Sequence, residues 1–133
     1  MSQLIAQIGA MAIAAVMIFQ IAVLAGAPYG AYTQRGRHPG VLPLAGRIVA
    51  AVSFLVLAVM AAALLARAGL GPLAGADPTL LRPLWWGSLA VAILSAVANL
   101  RSPSADERRM FGPVSVLIIL AFVLSAGSAP SPF

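Results

Sequence analysis

Apolar residues in this chain fall into long runs separated by short, turn-rich polar stretches. The first run covers residues 4–24 and the second 48–66. Between them lies AGAPYGAYTQRGRHPGVLPLAGR (25–47), which carries both Tyr and the only His. At 1.5 Å per residue the first run reaches roughly 31 Å, enough to cross a hydrocarbon core of about 30 Å. The pattern repeats once more and predicts an all-α integral membrane four-helix bundle. Its topology is up-down with short loops, in one domain, with spans at residues 4–26, 42–68, 84–100 and 110–127.

Turn chemistry sets the expected boundaries. Pro28 lacks an amide hydrogen and disfavours helical geometry before it, so it ends the first helix. Although Ala25-Gly26-Ala27 looks like a small-residue cleavage site, no positive charge precedes the run. The run also exceeds the usual h-region, so this helix is expected to be retained. The second helix carries Arg47 and Arg67 near its ends, where both guanidinium groups can snorkel to headgroups. A second loop over 68–83 is rich in Gly and Pro, and Asp77-Pro78 reads as a turn-initiating pair. Trp85-Trp86 then opens a short third helix of about 16 residues, both indoles at the interface. In the third loop, Ser104 and Glu107 fit a capping box that starts a fourth helix near Ala105. That helix passes Gly112-Pro113 with a kink, and a tail over 127–133 frays. A weak echo links GVLP at 40–43 with GPVS at 112–115, and chance accounts for it.

Composition agrees with lipid as the solvent. Of 133 residues 62% are hydrophobic and 8% charged, against about 25% charged in globular domains. The mean hydropathy is +1.02. The net charge is +5, and every basic residue is Arg. In a soluble protein this would suggest nucleic acid, but here the Arg residues flank apolar runs and point to topology and anionic headgroups. The absence of Cys removes disulfides and thiol chemistry. Arg35, Arg37, Arg47, Arg101, Arg108 and Arg109 gather on the first and third loops; Arg67 and Arg82 fall near the second. The positive-inside rule puts the Arg-rich loops in the cytoplasm of a bacterial inner membrane and both termini outside.

Candidate chemistry is sparse. The mid-bilayer segments contain no ionisable residue, unlike small multidrug transporters, whose first helix carries an essential carboxylate. Here that helix has only Gln7 and Gln20. His38 stands alone in a loop, whereas a metal site needs three or four donors, so neither metal nor cofactor is expected. The acids lie in loops without a nucleophile–base arrangement, and Arg35-Gly36-Arg37 lacks the ending of a phosphate loop. Small residues recur every four positions on each helix: Ala6, Ala10, Ala14; Ala58, Ala62, Ala66; Ser88, Ala92, Ala96; Ala121, Ser125. They offer seams within or between bundles.

One constellation stands out. Gln20, Tyr29, Arg47, Asn99, Glu107 and Arg109 approach the cytoplasmic boundary from all four helices. As structure they would tie helix ends together; as a site they would form a shallow anion or lipid-headgroup pocket, since guanidinium forks suit phosphate. GAPYG with RGRHPGVLPLAGR, and Asn99 with Glu107-Arg108-Arg109 and Gly112-Pro113, resemble a group of small uncharacterised bacterial four-helix membrane proteins. The resemblance implies the architecture and no activity. The leading expectation is a non-enzymatic subunit or scaffold, self-associating or joined to a larger membrane protein. An oligomeric channel or transporter with an uncharged pore and an anionic-lipid-binding protein are the alternatives.

Overall fold

The computed structural model describes residues 1–128, with the side chain of Ser128 left aside. It contains four helices, α1 Ser2–Leu24, α2 Leu44–Arg67, α3 Pro78–Leu100 and α4 Ala105–Ser128. Each is long and apolar enough to cross a membrane. The tail assigned to 127–133 lies outside the described residues beyond position 128.

The helices pack in a ring in which α1 touches α2 and α4, and α3 touches the same two. Hydrogen bonds at the ends fix the alternation. At one end Gln3 Nε2 donates to Ala68 O at 3.4 Å, and Arg67 Nη2 to Ala126 O at 3.3 Å. At the other, loop 1 (25–43) is bonded to the α3–α4 connection. The bundle is therefore up-down.

Helix ends depart from expectation where local capping outweighs proline. α1 stops at Leu24, four residues before Pro28, because Gly26 takes φ +107°. Ala27 N then donates to Ala22 O and Gly26 N to Val23 O, the paired bonds of a Schellman motif. Gly69, at φ +75°, closes α2 in the same way, with Leu70 N on Leu65 O and Gly69 N on Ala66 O. α3 starts at Pro78, not at Trp85. Asp77 is its N-cap, accepting from Thr79 N at 2.7 Å, and Pro78 sits at the first helical position, where no amide is needed. The helix continues through Pro83, which removes one bond to the carbonyl of exposed Thr79 near the helix start. At 23 residues α3 matches the other helices and needs no thinning of the bilayer. α4 runs continuously through Gly112-Pro113, so GPVS lies inside a helix while GVLP precedes one, and the internal echo has no structural counterpart.

The main core occupies the half of the bundle away from loop 1. Ile13, Leu64, Trp85 and Phe122 are fully or almost fully buried there. The two indoles separate: Trp86 is exposed, whereas Trp85 sits in the core 5.6 Å from the Phe122 ring. Expectation placed both at the interface; tertiary packing claims Trp85 because it faces inward with Ser88, Ala92 and Ala96. Arg67 is half-buried with its guanidinium 5.0 Å from the Trp85 ring, so it leans onto the core as well as towards the helix end. The stripes Ser88, Ala92, Ala96 and Ala121, Ser125 are buried seams inside this bundle, whereas Ala14 faces outward.

Candidate functional site

Loop 1 does not simply cap the bundle; it folds into it. Gly30 is buried, and its amide donates to Gly40 O at 2.9 Å. A Cβ there would lie 1.7 Å from His38 O, so only Gly closes this turn. Gln34, Arg35 and Gly36 follow with φ of +50, +62 and +67°, the left-handed region. For the two residues with side chains this costs roughly 1–2 kcal/mol each. Specific bonds offset the strain. Gln34 Nε2 donates to Gly46 O at 2.8 Å, and Arg35 N donates to Glu107 Oε2 at 2.8 Å.

Glu107 therefore has a different job from the one its spacing suggests. Half of the capping box forms: Ser104 Oγ accepts from Glu107 N at 3.2 Å. The carboxylate does not return to Ser104 N, which donates to Ser102 Oγ at 3.2 Å. Instead Glu107 Oε2 receives Arg35 N and, at 3.0 Å, the Ser102 hydroxyl. Ser104 Oγ also donates to Ala31 O. Loop 3 (101–104) and the first turn of α4 thus hold loop 1 in place through a carboxylate and two hydroxyls, with Ser102 and Glu107 buried.

Beneath this plug lies a cavity of about 340 Å³. Its loop end is polar: Gln20, Thr33, Gln34, Asn99, Glu107 and Ser115 line it. Asn99 Nδ2 donates to Ser115 Oγ at 2.6 Å, and Ser115 Oγ donates to Phe111 O. Its deep end is apolar, formed by Val16, Leu57, Met60, Ala92, Val114 and Ile118. One side opens between α2 and α3, where the lining residues Val52, Val56, Val91, Ser95 and Ala98 are exposed. The seam continues as an apolar groove of about 400 Å³ that shares Val56, Met60 and Val91 and extends to Leu84 and Pro83. Along α3 the lining runs from Asn99 to Pro83, roughly 24 Å of helix.

Of the six residues singled out in the sequence, three meet at the cavity: Gln20, Asn99 and Glu107. The others stay outside. Tyr29 is exposed, edge-on to Tyr32 with ring centroids 6.3 Å apart. Arg47 Nε donates to Leu42 O at 3.1 Å, and its Nη2 lies beside Gly26 at the negative end of the α1 dipole. Arg109 is exposed. Among the described residues no basic side chain lines the cavity. Sequence reasoning missed Thr33, Gln34, Ser53, Ser95 and Ser115. Ser53, Ser95 and Ser115 were visible as hydroxyls inside spans; Thr33 and Gln34 gave no signal, because a long-range fold of loop 1 brings them in. Among the described residues no cluster of three or more His, Asp or Glu could hold a metal.

The geometry defines a class: a bundle of four helices, each long and apolar enough to cross a membrane, with an amphipathic cavity open to one side. Comparison with family models, curated proteins and solved structures finds no match to this chain.

Proposed function

We propose that this is a non-enzymatic small integral membrane protein that takes an amphiphilic molecule from the surrounding bilayer, its head at the polar end of the cavity and its tail along the α2–α3 seam. The observation that carries this reading is the cavity itself, polar towards loop 1, apolar below and open where the seam meets lipid. Its volume falls within the range of small-molecule sites, and a few polar groups on apolar walls is the usual composition of such sites. Native mass spectrometry of the protein released from its own membrane tests it. The expected result is one retained amphiphile per chain, with occupancy at least tenfold lower after Ser95→Trp or Val91→Trp, which fill the opening. Equal occupancy in these variants would refute the reading.

The polar end is proposed to face the cytoplasm of a bacterial inner membrane, with both termini outside. Exposed Arg35, Arg37, Arg101 and Arg109 support this and would meet anionic headgroups. The chain has no Cys, so single cysteines report cleanly. An impermeant maleimide added to spheroplasts should label Ala74→Cys and spare Arg37→Cys; the opposite pattern would invert the orientation.

A second reading, the subunit or scaffold, draws on the outward Ala14 on α1. It predicts a fixed ratio to another chain in the same spectra. Flux through one bundle is not supported, because Ile13, Leu64, Trp85 and Phe122 fill the half below the cavity.

A further inference from the structure

Glu107 is the one acidic side chain that the described fold turns inward. Asp77 and Asp106 are exposed, whereas Glu107 keeps only 7% of its surface and lines the cavity. Its two oxygens are treated differently. Oε2 accepts two hydrogen bonds, from Arg35 N and Ser102 Oγ. Oε1 accepts none from any described residue.

Among the described residues no guanidinium forms a direct ion pair with the carboxylate. Arg35 offers its backbone amide while its side chain is exposed. Arg108 Nη1 is committed to Ser102 O at 2.5 Å, and Arg47 Nε to Leu42 O. A buried carboxylate with neutral partners on one oxygen and none on the other is costly unless a donor or a cation meets it. Apolar walls below strengthen its field, because charge interactions grow as the dielectric falls.

From this we infer that the cavity selects its amphiphile by a protonated amine head on a single apolar chain. The ammonium carries three donors and no acceptor. Glu107 Oε1 pairs with its charge. The side-chain carbonyl oxygens of Asn99 and Gln20, which line the same cavity, accept the remaining hydrogens; Asn99 uses only its Nδ2 in the bond to Ser115. The tail leaves between α2 and α3. A carboxylate head meets like charge, and a phosphodiester brings a second negative group beside Glu107. The cavity and the exposed Arg belt around it therefore prefer opposite heads. The inference rests on the amphiphile reading above and adds the sign of the head.

Photolabelling of the full chain in phosphatidylcholine vesicles tests it, with diazirine-bearing dodecylamine and diazirine-bearing dodecanol as probes. The amine probe should label α2 and α3 peptides. Unlabelled dodecylamine should displace it at a concentration at least tenfold below that of dodecanol, and dodecanoate should not displace it. Glu107→Gln keeps a carbonyl for Arg35 N and Ser102 Oγ and should cut amine labelling at least tenfold and alcohol labelling far less. Ser95→Lys, at an exposed position on the opening, should lower amine labelling at least tenfold and alcohol labelling less, because it adds an ammonium of its own to the cavity that holds the carboxylate. It carries the test if Glu107→Gln fails to fold. Full amine labelling in a folded Glu107→Gln protein, or equal displacement by all three competitors, would overturn the head assignment and leave amphiphile binding standing. Absence of α2 and α3 labelling by both probes would remove both. Suppression by added phosphatidylethanolamine would overturn the single-chain assignment.

Discussion

Glu107 shows how one residue can satisfy a local rule and serve a distant one. Its position three residues after Ser104 fits a capping box, and the backbone half of that motif is present. The side chain goes instead to an amide 72 residues away in sequence. Glu107→Ala strands the Arg35 amide and the Ser102 hydroxyl, and an unmet buried donor costs about 1–3 kcal/mol. Unfolding in mixed detergent should show a loss of that size for Ala and a smaller one for Gln; equal stability of both with the parent would mean that the carboxylate holds nothing. The residues that met at the cavity were legible as polar groups near span ends, namely Gln20, Asn99 and Glu107. Thr33 and Gln34 were not, because only the left-handed turn at 34–36 brings their loop inward, and nothing about Gln34 or Arg35 advertises a positive φ.

At the scale of elements, hydropathy placed four helices and misplaced one start. Pro83 and the Gly-rich loop 2 argued for a late α3, and the two Trp residues argued for an interface at 85–86. The decisive signal was Asp77-Pro78, an N-cap followed by proline at the first helical position. Asp77 holds its carboxyl below the ordinary range, chiefly through the Thr79 hydroxyl and then through the Thr79 amide. Because the folded-state pKa is depressed, the cap contributes above the unfolded value and is lost as pH falls through the folded one, so the window lies below about pH 4. Asp77→Ala should lower amide protection, relative to the intrinsic rate at each pH, at Thr79, Leu80 and Leu81 at neutral pH and abolish any further loss of protection on acidification. Exchange that ignores both changes would show that Pro78 alone sets the start.

For the whole molecule, α1 comes close to both α4 and α2 at Gly9. A Cβ at Gly9 would stand 2.4 Å from Ala121 Cβ and 2.8 Å from Leu64 Cδ2, while one at Gly87 meets nothing within 4 Å. Gly9→Ala should therefore destabilise by about 1–3 kcal/mol through overpacking. Gly87→Ala should be neutral or gain up to about 1 kcal/mol from better helix propensity. Unfolding titrations that rank the two variants the other way would contradict this packing. Periodic small residues flagged seams in the sequence, but which face met which neighbour depended on all four helices together. The bonds from loop 1 to Ser104 and Glu107 carry that dependence into time. A ribosome delivers residues 31–35 long before 104–107, so during synthesis the polar end stays unsealed until those residues emerge. The cavity comes into being only with the final helix. Trypsin should cut after Arg35 and Arg37 several-fold faster in a chain ending at Arg101 than in the full chain; equal rates would mean that the loop seats itself without the last helix. A defect that slows or misplaces that helix then abolishes a site whose other three walls are already in place.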